Sequence, residues 1–112
     1  MIRVVLTLDS RNLLRKAAFS GHAGQGKKGE DIVCASVTAL IRTASRSFQL
    51  DTSVEVESDA PSPGELRVKV NYIPPEREVW ALGITDFLRL GLQDMEREFP
   101  GSLSVEIAAA EP

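Results

Sequence analysis

One cysteine and one histidine are all that the 112 residues contain. A lone cysteine excludes an internal disulfide and agrees with a reducing compartment. No apolar run approaches the roughly 20 residues that span a bilayer. The N-terminus, Met1-Ile2-Arg3-Val4-Val5-Leu6, enters an alternating pattern at once and lacks the layout of a signal peptide. A cytoplasmic location is therefore expected, without a membrane partner. The net charge of −3 gives no general pull toward nucleic acid or anionic lipid, so no direct nucleic-acid partner is expected either. The length fits one domain, 1–112, and no metal or cofactor is expected.

The remaining signals are periodic. Ile2, Val4, Leu6 and Leu8 alternate with Arg3, Val5, Thr7 and Asp9, which predicts a half-buried strand. Ser10-Arg11-Asn12 is turn-like, and Leu13 to Ser20 reads as a second strand, so the two form an antiparallel hairpin. The period then changes. Val33, Val37, Leu40, Ala44 and Phe48 mark one face of a helix from about Ile32 to Phe48. Asp31 is placed to be its N-cap, and Cys34 then falls near the third helical position. Arg42 and Arg46 lie on a more polar side. Val54 and Val56 belong to a short strand, Asp59 to Gly64 is a turn, and Leu66, Val68, Val70 and Tyr72 alternate in a partner strand. Pro74-Pro75-Glu76 opens a second helix that continues to about Phe99. Its apolar residues from Val79 to Met95 cover more than one face, and Gly83 and Gly91 permit close backbone approach. Leu103, Val105 and Ile107 mark a last strand. The predicted order is β-β-α-β-β-α-β, an α+β domain with two helices packed on one face of a mixed, partly antiparallel five-stranded sheet.

The chemistry gathers between Gly21 and Cys34. Gly24, Gly26 and Gly29 punctuate a polar stretch bounded by the histidine and the cysteine. Gly24-Gln25-Gly26-Lys27-Lys28-Gly29 matches G-x-G-x-x-G literally. Dinucleotide binding nevertheless fits poorly. Glu30 and Asp31 place two carboxylates where a pyrophosphate would need open helix amides, and the preceding strand is half of a hairpin. A structural explanation is the plainer alternative: a cysteine in a helix is often a small buried apolar residue, and Asp31 only a cap. The third reading is a cysteine nucleophile with a histidine partner. The thiolate is the reactive species, and both a first-turn position and a neighbouring imidazolium favour that anion. The amides of Cys34 and Ala35, with loop amides, are candidates for an oxyanion hole. The glycines favour a lid that orders over whatever the site binds.

Gly21-His22-Ala23, a glycine-bearing loop, and Gly29-Glu30-Asp31-Ile32-Val33-Cys34-Ala35 resemble the G-H-A and G-x-D-I-V-C-A motifs of the ribosomal-processing cysteine protease (Prp) family. The resemblance covers essentially the whole chain. It implies an endopeptidase that removes the N-terminal extension of a large-subunit ribosomal protein after an aromatic pair. By matching positions, Cys34 is the nucleophile, His22 the general base and then acid, and Asp31 the acidic residue beside them. Gly21, Ala23, Gly24, Gly26, Gly29, Ala35 and Thr38 are candidates for substrate contact or the lid. Thr38 stands where relatives often have serine, keeping the hydroxyl and adding a methyl. The resemblance also implies a homodimer, in keeping with the two-faced second helix. The competing possibility is a non-catalytic ribosome-associated module that keeps the fold.

Overall fold

A computed structural model describes residues 1–21, 28–62 and 64–111, with the backbone alone for 28–31. Five strands and two long helices follow the predicted order: β1 (Ile2–Leu8), β2 (Leu14–Ser20), α1 (Lys28–Gln49), β3 (Glu55–Asp59), β4 (Glu65–Tyr72), α2 (Glu78–Glu98) and β5 (Leu103–Ala109). A 3₁₀ turn, Pro75–Arg77, leads into α2. The sheet order is β3-β4-β2-β1-β5. Only β1 and β5 run parallel, and the other pairs are antiparallel.

Alternation decides which face carries the core. In β1 Ile2, Val4, Leu6 and Leu8 are buried, and in β4 Leu66, Val68 and Val70 are buried. Through the register these residues fall on one sheet face, because Val4 pairs with Phe19 and Phe19 with Leu66. Val33, Val37, Ile41, Ala44 and Phe48 of α1 and Ala81, Leu88 and Leu92 of α2 complete the same core. The opposite face carries Arg3, Lys16, Arg67, Lys69 and Glu57. A strand residue pointing away from the core meets water, so the polar half of each alternation stays outside.

Some contacts escape a reading of periodicity. Thr85, 1% exposed on α2, accepts a hydrogen bond from the Leu14 amide at 3.0 Å and donates to the Ala81 carbonyl at 2.9 Å. The Leu14 amide lies where the β1–β2 register shifts at Thr7/Leu8, so a side chain replaces a missing ladder partner. In the turn between these strands Asn12 adopts φ 65°. Asp9 holds that turn by accepting bonds from the Arg11 amide at 2.8 Å, the Leu13 amide at 3.1 Å and Arg15 Nε at 2.8 Å. Partial burial works against its charge, but these donors outweigh it and lower the Asp9 pKa below its ordinary 3.8. Beyond α1, Arg77 pairs with Asp51 and lies 4.2 Å from the Trp80 ring centre. Trp80 meets Phe48 edge-on at 5.9 Å, joining the two helices.

The glycines of α2 divide. Gly91 faces the Leu40 side chain of α1 at 3.4 Å from where a Cβ would stand, so it does permit close approach. Gly83 meets nothing within 4 Å and instead leaves a groove open above Trp80.

Candidate active site

The hairpin delivers its end with a specific backbone demand. Ser20, the last residue of β2, pairs with Arg3 at the start of β1 and with Glu65 at the start of β4. Gly21 follows with φ +124°, and a Cβ there would stand 2.5 Å from the Met1 carbonyl oxygen. Only glycine tolerates both the angle and that approach. The glycine of the G-H-A motif therefore has a local reason that does not depend on substrate. His22, Ala23, Gly24 and Gly26 lie outside the described residues, as does the side chain of Asp31.

The start of α1 corrects the sequence-based expectation. The helix begins at Lys28, not near Ile32. Asp31 is then its fourth residue and is not the N-cap, and Gly29 lies within the first turn. One glycine costs a helix only about 1 kcal/mol, too little to stop it. Glu30 and Asp31 in a first turn suit the positive end of the helix dipole. Cys34 moves with this boundary, to the seventh position. Its amide and that of Ala35 fall inside the helical ladder, bonded to carbonyls four residues back. They are no longer free for an oxyanion, and the dipole's benefit falls off after the first turn. The amides that α1 leaves free are those of its first four residues, Lys28 to Asp31, ahead of Cys34.

Cys34 is a free, half-buried thiol packed against the edge of the core. Thr38, one turn on, is also half-buried, and Ala35 is exposed. Among the described residues, two grooves flank the helix that carries them. One, about 580 Å³, lies between α1 and α2 and is lined by Leu40, Thr43, Trp80, Gly83, Ile84 and Phe87 among others. At 100° per residue, Leu40 and Thr43 lie far round the helix from Cys34. The other, about 310 Å³, lies between α1 and the β3–β4 hairpin, lined by Arg42, Ser45, Gln49, Asp59, Leu66 and Val68 among others. Ser45 is eleven residues beyond Cys34, three turns along the same face. The larger groove is thus not the one on the thiol's side. Among the described residues no cluster of His, Cys, Asp and Glu could hold a metal ion. Nor, among them, is any helix long and apolar enough to cross a membrane.

A half-buried thiol near the start of a long helix, in a sequence whose one histidine lies twelve positions before it, has the makings of a cysteine hydrolase site. The sequence narrows this further: the chain belongs to the cysteine protease Prp family, whose sequence model matches residues 1–104. No curated protein matches it. Solved structures share the fold. SMU.848 from Streptococcus mutans superposes with a TM-score of 0.79 at 22% identity, covering 98% of this chain and 96% of that one. The essential ribosomal processing protease Prp from S. aureus, in complex with a substrate peptide, gives a TM-score of 0.78 at 21% identity, covering 96% and 99%. The same enzyme with a covalently linked product peptide gives 0.76 at 22% identity, with the same coverage.

Proposed function

We propose that this chain is a ribosomal-processing cysteine endopeptidase that removes the N-terminal extension of a large-subunit ribosomal protein during ribosome maturation. The observation that carries this reading is the pairing of Gly21-His22-Ala23 with Asp31-Ile32-Val33-Cys34-Ala35 in a chain of Prp fold and family. In the proposed reaction His22 takes the Cys34 proton, and the thiolate attacks the carbonyl carbon of the scissile bond. The tetrahedral adduct collapses to a thioester as His22 gives the proton to the leaving amine. Water, deprotonated by His22, then attacks the thioester and releases the extension as a carboxylic acid and Cys34 as a thiol. Asp31 is assigned to orient His22.

The S. aureus complexes with substrate and product peptides support a peptide substrate for the fold. The test is incubation of the protein with the extended ribosomal protein of its own organism, followed by intact mass. One cut that releases the extension is expected. An intact ribosomal protein at long times, with the enzyme folded, favours the non-catalytic ribosome-associated module instead.

The proposal includes a two-fold homodimer through the α1–α2 groove. Val79 is 85% and Phe87 73% exposed, and with Trp80 and Ile84 they rim an apolar hollow. Water disfavours such a contiguous patch, and a two-fold pairing covers it with an identical one. Sedimentation at tens of micromolar, about the range such assemblies occupy, should give twice the chain mass. A monomer there would refute it.

A further inference from the structure

Ser45 is 4% exposed, and among the described residues its hydroxyl has no hydrogen-bond partner. Its neighbours on the same helix behave differently. Ser36 donates to the Ile32 carbonyl and Ser47 to the Thr43 carbonyl, each at 2.8 Å, the usual refuge of a helical hydroxyl. Ser45 instead lines the groove between α1 and the β3–β4 hairpin without taking that bond. A buried polar group left unpaired is unfavourable, and each such group in a native protein calls for a physical reason, a functional role among them.

The surroundings define what that ligand is. Leu66 and Val68 are buried apolar residues at the groove, suited to one apolar side chain. Arg42, Arg46 and Gln49 rim it. Among the described residues Asp59 is the one carboxylate there, and Arg67 pairs with it at 3.1 Å. Among the described residues no carboxylate pairs with Arg42 or Arg46. Hydrogen-bond donors therefore predominate, and their natural complement is a row of carbonyl oxygens. An extended peptide presents such a row.

Distance fixes which part of the peptide. Eleven residues of helix from Cys34 to Ser45 rise about 16 Å, at roughly 1.5 Å each. An extended chain covers that in about five residues, at roughly 3.3 Å each. Resting on the endopeptidase reading, we infer that Ser45 belongs to a remote subsite that binds the substrate's main chain about five residues from the scissile bond. Ser45 donates to a substrate carbonyl, and Arg42 supports it from the rim. Ser45 is a positioning residue in this scheme and does not touch the reacting atoms.

The test compares peptides with six residues on each side of the scissile bond and peptides with three. Ser45→Ala should raise KM for the long peptide roughly three- to tenfold, the worth of one neutral hydrogen bond. It should leave kcat, and the short peptide, unchanged. Arg42→Gln, an exposed change that leaves the core alone, should show the same selective loss. A drop of equal size for both peptides means a structural role and overturns the subsite, as does no drop for either. Binding of the labelled long peptide to Cys34→Ala, with and without Ser45→Ala, separates this inference from the protease reading. Serine-dependent binding without cleavage by the unaltered protein would sink the protease reading and keep the subsite. Cleavage with binding indifferent to Ser45 would do the reverse.

Discussion

The two flanks of α1 are made from one helix and differ in almost every physical respect. Toward α2, the groove is wide and apolar, with Val79 and Phe87 standing out of it. Toward the β3–β4 hairpin, it is about half the volume and is rimmed by guanidinium and amide groups over a buried hydroxyl. Cys34 shares a face with the second. Cavity size alone points away from the flank on which Cys34 lies. An apolar hollow rimmed by exposed side chains suits a partner surface of the same kind, while a narrow polar groove suits a ligand rich in carbonyl oxygens.

The largest expected effect breaks the polar flank and spares the other. Cys34→Ala should lower cleavage of the extended ribosomal protein by on the order of 10⁴-fold or more, as loss of a nucleophile does. Sedimentation of that variant should be unchanged. The reverse experiment is Phe87→Glu. A charge in the α1–α2 groove should weaken self-association by tenfold or more, an order-of-magnitude expectation for a charge buried unpaired, read by sedimentation. Its fold, followed by circular dichroism, should persist because Phe87 is mostly exposed.

A third change disturbs the base of the site. Gly21→Ala must accept a positive φ and a contact at 2.5 Å with the Met1 carbonyl oxygen. The angle alone costs about 1–2 kcal/mol. Thermal melting should fall by about 5–10 °C, and cleavage should fall with it.

The smaller effects concern stability on the α2 side. Because the Asp9 pKa is lowered on folding, its contribution is fully present above the ordinary value of 3.8 and is lost as pH falls through the depressed folded value. Melting followed from pH 7 downward should show an acid limb that is shallower in Asp9→Asn. Identical limbs would show that the turn does not depend on this charge. The smallest effect expected is from Gly83→Ala. Within one chain a Cβ there meets nothing within 4 Å, so in the Phe87→Glu background, where the groove is uncovered, the gain in helix propensity, up to about 1 kcal/mol, should raise melting by a few degrees.

The sequence carried the strands and the order of elements, because each core face follows a period of two or 3.6 and the turns hold their own signals. It carried the motif pair and hence the family. The start of α1 was less legible. Three glycines in six residues look like an uninterrupted loop, yet Lys28, Glu30 and Asp31 let the helix absorb Gly29. The consequence for Cys34 is large, since the four-residue shift takes its amide from the free first turn into the bonded ladder. Ser45 gave no signal, because serine on a polar helix face is ordinary. Its burial depends on the β3–β4 hairpin lying over it, a contact distant in sequence. Thr85 is similar: only the register shift near Leu14 makes its hydroxyl necessary.

The central claim is that substrate runs from Cys34 along the polar flank of α1. A substrate peptide with benzoylphenylalanine about five residues from the scissile bond, the reach set by helix and strand rise, tests it when irradiated with Cys34→Ala. Mass mapping should place the adduct on residues 42–49 or 58–60. An adduct on residues 79–88, across the apolar groove, would contradict it.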